Sequence, residues 1–306
     1  MITVLAGGSG AAKFIRGLVE IVPQEELTII GNTGDDVIVW GLHISPDLDT
    51  VMYLLAGLLD EDRGWGITGD TFTCLRSMER YGEMTWFRLG DRDLATHIIR
   101  TRSLLQGLTL TEVTEKLCRA LGVRARLLPM SDDRVETRIH TPQGILSFQE
   151  FFVRERWASP VTGVSYEGSE RARPAPGVME AIQASEGIII APSNPVTSIG
   201  PILAIADIRQ ALECSAAPVI AISPIVGGRA VSGPAGKLMR ACGYEVSARG
   251  VAEVYGDLID VLIIDEQDAA LVEVIERLGI RAVVAPTLLS DLTTKIELAR
   301  CVLQHL

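Results

Sequence analysis

Short apolar runs alternate along this chain with stretches whose apolar residues recur at helical spacing. The runs at 2–6 and 27–31 predict two buried strands, and residues 11–22 between them predict a helix. Such a βαβ unit defaults to parallel strands joined by a right-handed crossover. The rhythm returns in the C-terminal half, with strands predicted at 187–191, 218–223, 261–265 and 282–285 and helices at 199–212, 235–242, 268–278 and 291–303. Gly243 and Gly279 stand just past two of these helices, where helices commonly stop.

Between the halves the pattern changes. Residues 47–121 read mostly helical, with aliphatics at helical spacing around His97. Residues 125–128 and 135–140 predict strands, the Thr-Pro-Gln-Gly at 141–144 a turn, and 145–153 a third strand or hairpin arm. Residues 171–177, with Pro174 and Pro176, predict a linker back to the core. The expectation is one α/β domain over 1–306, with a doubly wound, mostly parallel Rossmann-like sheet. Its core is drawn from 1–46 and 174–306. A largely helical insertion at about 47–173 carries a small β element.

With 47% hydrophobic residues but only 5% aromatics, the core must be aliphatic, as in parallel strands covered on both faces. The formal charge of −11 argues against nucleic acid or an anionic membrane as partner. An anionic substrate would then need a locally positive site, made by backbone N–H groups, a few Arg or Lys, and a metal ion. Five scattered cysteines without C-x-x-C spacing point to reduced thiols and a cytoplasmic setting. Residues 187–208 are too interrupted by Pro192, Pro195 and Pro201 to span a membrane.

Gly7-Gly8-Ser9-Gly10 ends the first strand and opens the first helix, where glycines admit a ligand to the backbone and the helix terminus favours an anion. It matches neither the Walker spacing nor the dinucleotide fingerprint, because Lys13 occupies the place of the third small residue. An ordinary tight turn is the structural alternative. Asn32-Thr33-Gly34-Asp35-Asp36 leaves the second strand at the same sheet edge, but Asn, Gly and Asp also suit any turn. Asp47 and Asp49, in Ser45-Pro46-Asp47-Leu48-Asp49, would face one cation if extended; otherwise Asp47 caps a helix over 48–58. Arg88-Leu89-Gly90-Asp91-Arg92-Asp93 offers Arg88 or Arg92 to a phosphate or carboxylate and Asp91 to a metal or hydroxyl, against a solvated turn with internal ion pairs. Residues 193–201, with Ser193, Asn194, Ser198 and Gly200, follow a parallel strand and suit a diphosphate or guanine pocket; a well-capped loop is the alternative. Trp40, Trp65 and Trp86 fall near the acidic clusters, where a flat ring would sit.

Taken together, the segments GGSGAAK, NTGDD, ISPDLDTV, WGITGDTF, LGDRDLATHIIR, PMSDD, SNPVTSIGPIL and SPIVGGRAVSGPAGKLM resemble, nearly end to end, the 2-phospho-L-lactate transferase family of coenzyme F-420 biosynthesis. The resemblance implies transfer of a phospholactyl or phosphoenolpyruvyl group from a guanosine diphosphate-linked donor to a deazaflavin alcohol, with Mg²⁺ as cofactor and GMP released. It implies Asp49 and Arg88 on the deazaflavin, and Asp35, Asp47 and Asp49 as metal-binding and hydroxyl-orienting carboxylates. Asp91 and Arg92 join Asp47 and Asp49 as catalytic candidates. Gly8, Ser9, Gly10, Lys13, Asn32, Ser193, Asn194, Ser198 and Gly200 would hold the guanosine diphosphate part. The competing readings are a non-catalytic nucleotide-sugar-binding regulator of the gluconeogenesis-factor type and an NAD(P)-dependent oxidoreductase. The donor's three-carbon acid and the oligomeric state stay open, a homodimer being unsurprising for such an enzyme.

Overall fold

The computed structural model describes all 306 residues. Seven strands form the central sheet: β1 (Ile2–Ala6), β2 (Leu27–Gly31), β3 (Arg126–Pro129), β4 (Gly187–Ile190), β5 (Val219–Ile222), β6 (Val261–Ile264) and β7 (Arg281–Val284). They lie in the order β7-β6-β5-β4-β1-β2-β3, and every neighbouring pair is parallel. This is the doubly wound order, with a seventh strand added at one edge. β2, β4, β5 and β6 are buried at every position, in keeping with their nearly continuous apolar runs. Alternate residues feed two aliphatic clusters of nearly equal size, 35 and 34 residues, so both faces are covered.

The direction of winding reverses between β1 and β4. The connections leaving their carboxyl ends diverge, and a crevice opens there. Helix α1 (Gly8–Leu18) leaves β1 directly. Four more helices follow β2: α2 (Pro46–Leu55), α3 (Thr73–Arg80), α4 (Asp93–Leu105) and α5 (Leu110–Ala120). A three-stranded antiparallel sheet, Gly144–Ser147, Glu136–Thr141 and Gly163–Glu167 in that order, stands beside the crevice.

Several expectations change. The strand at 126–129, read as part of the insertion, pairs with β2 and forms the sheet's edge, so the core takes an element from within 47–173. The arm expected over 145–153 ends at Ser147, because the Ser147 hydroxyl and Glu150 carboxylate cap each other's backbone and start a helical turn. The helix expected over 199–212 is broken into Gly200–Leu203 and Ala206–Glu213, with Ile205 extended between them. A hairpin, Val37–Val39 with Leu42–Ile44, escaped sequence reading. Its two-residue turn places Trp40 and Gly41 at φ 50 and 77, the geometry that matches strand twist but normally calls for Asn or Asp rather than Trp.

The last helix, Leu292–Leu303, packs across α1, and a Cβ on Gly17 would lie 2.2 Å from the Lys295 carbonyl oxygen. Gly17→Ala should therefore push the two helices apart and lower unfolding free energy by about 1–3 kcal/mol in urea titration. An unchanged midpoint would show that this contact yields without cost.

Candidate active site

A cleft of about 790 Å³ opens at the carboxyl rim of the sheet, over the switch between β1 and β4. Its floor is made by two loops pressed together. A Cβ on Gly10 would lie 2.1 Å from the Pro192 carbonyl oxygen, and one on Gly7 would lie 2.7 Å from Ser198 Cβ and 2.9 Å from an Asp47 carboxylate oxygen. Only glycine permits that approach, which brings the N-terminus of α1 against the loop leaving β4. Gly8, Ser9, Gly10 and Lys13 line the cleft on one side, and Ser193, Asn194, Thr197 and Ser198 on the other. The hydroxyls of Ser193 and Thr197 are buried without a hydrogen-bond partner. Buried polar atoms left so are the ones a ligand satisfies.

Asp47 and Asp49 do not converge on one point. The segment is helical from Pro46, with Ser45 as its cap, so carboxylates two residues apart point in different directions. Asp47 turns to the glycine loop and accepts a hydrogen bond from the Asn32 side-chain amide at 2.9 Å. Asp49 turns to α4, where fully buried Arg100 grips both its oxygens, one at 3.0 Å. His97 stands 3.7 Å from the same carboxylate and 3.1 Å from Asp93, which accepts a 2.6 Å hydrogen bond from the Tyr53 hydroxyl. Burial works against the ionised form of Asp93, but His97 and Tyr53 hold its pKa below the usual carboxylate range.

Asp35 and Asp47 have no such cation. Burial, and for Asp35 the neighbouring Asp47 charge, push Asp35 well above the ordinary value. Burial raises Asp47 to about 6, although the Asn32 amide and Gly8 N–H oppose this. Asp36 is also raised by burial, partly offset by His43 and by the Ser45 hydroxyl, which both bond its Oδ2. Strongly shifted carboxyls in a cleft mark functional sites. Asp35 and Asp47 line the cleft, and Asp35 Oδ1 is buried and unpartnered. The two suit a Mg²⁺ ion, which is commonly held by one or two carboxylates while substrate phosphates and water complete the shell. The expected trio with Asp49 is not formed, and no group of three or more Asp, Glu, His or Cys side chains gathers around a common point.

Other candidates serve the scaffold. The Asp91 carboxylate faces the start of α3, accepting from the Thr73 and Cys74 N–H groups at 2.9 and 2.8 Å and from the Thr71 hydroxyl, which together lower it to about 2. The Arg92 guanidinium donates to the Thr68 carbonyl. Neither lines the cleft. Asn32 is wholly buried and outside the cleft lining; it ties Asp47, the Thr197 carbonyl and the Gly34 N–H together. The Asn194 side-chain oxygen is committed to the Val196 and Thr197 N–H groups, although the residue borders the cleft. Gly200 makes room for the Tyr166 hydroxyl and lies outside the lining. Arg88 does line the cleft, its guanidinium carbon 4.6 Å from the centre of the Phe72 ring.

Sequence reading missed Arg100, Arg63 and the stacked Phe148 and Phe152, and it gave His97 no role. Asp93, His97 and Arg100 share one face of α4 at spacings of four and three, a signal that was available. Of the tryptophans, Trp65 and Trp86 line the cleft while Trp40 does not.

The Asp47 shift has a measurable consequence. Between the ordinary carboxylate value near 4 and about 6, the native protein still holds a proton that the unfolded chain has released. Stability of the ligand-free protein therefore falls as pH rises through that window, by on the order of 2–3 kcal/mol from this group. Asp47→Asn should remove that part of the slope in urea titrations from pH 4.5 to 7.5 and be the more stable form at pH 7.5. A parallel wild-type slope in the variant would mean that Asp47 ionises in the fold without cost.

The family model described as 2-phospho-L-lactate transferase CofD matches residues 2–299. The 2-phospho-L-lactate transferase of Methanosarcina mazei is 48% identical over 98% of this chain and 99% of its own length. The phosphoenolpyruvate transferase of Kitasatospora aureofaciens is 47% identical over 99% of this chain and 96% of its own. A crystal structure of a UPF0052 family member from Bacillus halodurans superposes with a TM-score of 0.68 at 16% identity, covering 99% of this chain and 98% of that one, a likeness of fold alone. With the family pattern running almost from end to end, and close relatives sharing it over their whole length, this chain belongs to the CofD family of 2-phospho-L-lactate and phosphoenolpyruvate transferases.

Proposed function

We infer that the protein moves a phospholactyl or phosphoenolpyruvyl group from a guanosine diphosphate-linked donor to the ribityl hydroxyl of 7,8-didemethyl-8-hydroxy-5-deazariboflavin. GMP is released, and the step belongs to coenzyme F-420 biosynthesis. The observation that carries the reading is a single cleft in which glycine-loop amides and unpartnered hydroxyls face two carboxyls that lack a cation.

In this reading the diphosphate lies on the loop Gly8-Ser9-Gly10 and on Ser193, Thr197 and Ser198, with Lys13 beside its charge. Asp35 and Asp47 would hold Mg²⁺, which would supply positive charge beside the departing phosphate. Asp49, fixed by Arg100, accepts a hydrogen bond from the ribityl hydroxyl and aims its oxygen at phosphorus. Arg88 stands ready for the deazaflavin. The hydroxyl oxygen forms a bond to the phosphorus that bears the three-carbon acid, and the bond from that phosphorus to the GMP phosphate oxygen breaks. The hydroxyl proton passes to solvent. Positioning and charge neutralisation dominate such transfers, so a residue that only orients is enough.

Relatives named for phospholactate and for phosphoenolpyruvate are almost equally similar, so a competition assay must choose the donor. Offered both donors, Mg²⁺ and the deazaflavin, the protein should release GMP only when donor, acceptor and metal are all present, and the product ratio names the acid. No GMP from either donor, or release indifferent to the acceptor, would refute the reading. Asp49→Asn should lower turnover ~100-fold or more. It should also cost about 3–5 kcal/mol, because Arg100 is left buried beside a neutral partner. Wild-type turnover in that variant would remove Asp49 from the mechanism.

A further inference from the structure

The cleft carries three basic side chains with long reach, Lys13, Arg63 and Arg88. Lys13 opens onto the glycine loop and Arg88 stands toward the proposed acceptor, which leaves Arg63 without a role. We propose that Arg63 recognises the carboxylate of the transferred three-carbon acid, with Phe72 and Trp65 holding its guanidinium in place. This deepens the transfer reaction proposed above and rests on it.

The loop that carries Arg63 is built to hold a fixed shape. Leu59 and Ile67 form an antiparallel bridge, the Gly64 N–H donates to the Asp60 carbonyl at 2.8 Å, and the Asp60 N–H donates to the Gly66 carbonyl at 3.1 Å. Glu61 anchors the loop outward, accepting from Arg16 at 3.2 Å and from Lys295 at 3.0 Å. The tip descends on the phosphate loop, since a Cβ on Gly64 would lie 3.4 Å from Ser9 Cβ. Arg63 is thereby held beside the wall that the donor's phosphates would occupy.

Its side chain is clamped as well. The guanidinium carbon lies 5.3 Å from the centre of the Phe72 ring and 5.9 Å from that of Trp65, and the two rings meet edge to face at 6.4 Å. Phe72 also carries Arg88, so one ring sets the positions of both guanidinium groups. The ion pair to Asp60, at 3.3 Å, uses Arg63 Nε. The edge formed by the two Nη groups is left for a second acid, and that edge matches a carboxylate bidentately.

Charge then selects the ligand group. The donor's diphosphate is answered by backbone N–H groups, hydroxyls, Lys13 and a cation on Asp35 and Asp47. Its one remaining anionic group is the carboxylate, which is attached to the carbon that bears the bridging oxygen on phosphorus. It must lie next to the phosphate site, on the side where Arg63 stands. A negatively charged protein that transfers an acid needs a cation at that place, and loss of a hydrogen-bonded charge partner is heavily penalised.

Calorimetric titration with GDP, with guanosine diphosphate-linked lactate, and with its carboxamide tests this. The wild-type protein should bind the acid roughly 10- to 100-fold more tightly than the amide. Arg63→Ala should bind the two alike, Arg63→Lys should recover part of the preference, and Phe72→Leu should lose part of it. GDP should bind all four proteins equally, which also reports that each variant is folded. The proposal is overturned if Arg63→Ala still prefers the acid, or if it loses GDP affinity by the same factor and so proves to be a phosphate contact. Failure of the transfer reaction would show separately, as absence of GMP from the wild-type protein with either donor.

Discussion

Charge removed from water must be answered inside the protein, and the carboxyls of Asp35, Asp36, Asp47, Asp49 and Asp93 crowd the carboxyl rim of this sheet. They are answered unequally. Asp49 has a buried guanidinium on both oxygens, and Asp36 has His43 and the Ser45 hydroxyl. Asp47 has only neutral donors from Asn32 and Gly8, and Asp35 keeps one oxygen with no partner at all. Electrostatic satisfaction falls from the α4 side toward the glycine loop. In the proposed function that least satisfied end takes the divalent ion, and with it a polyphosphate that this acidic chain would otherwise repel.

The fold supplies the place and the loops supply the chemistry. A UPF0052 family member shares the architecture at 16% identity, and a doubly wound sheet does not by itself specify a reaction. In the proposed reading the specifying element is the pair of walls raised over the switch point. One carries Arg63 and Arg88 on the Phe72 ring. The other stacks Phe148, Phe152 and Trp157 at 5.3 and 5.2 Å, and Lys237 anchors the Trp157–Ser159 segment through its carbonyls. Both walls come from the stretch between β2 and β4, apart from Lys237, while the phosphate loops come from the core strands.

Much of the frame was legible. The runs that became β1, β2, β4, β5 and β6 were found because a strand buried on both faces is nearly continuously apolar, with only Thr3 and Thr28 interrupting β1 and β2. The hairpin at 37–44 was not, because its turn uses Trp40 where turn chemistry would ask for Asn or Asp. β3 was found as a strand but assigned to the wrong place, since a parallel edge pairing with β2 leaves no mark in the intervening residues. Asp91 and Arg92 looked catalytic because charge density around a glycine resembles a site; the structure spends them on the start of α3 and on the Thr68 carbonyl.

The sequence alone determined the strands and the parallel, doubly wound character of the sheet, because periodicity and turn residues act over a few positions. Which carboxyl meets which partner was decided only in three dimensions. Asp49 is matched by Arg100 fifty-one residues away, and Asn32 reaches Thr197 across 165. Once α2 proved helical at Asp47, the two carboxylates were turned apart, one to the Arg100 guanidinium and one to the glycine loop, though both border the cleft. No local pattern carries that division, because it depends on what each helix face meets after packing.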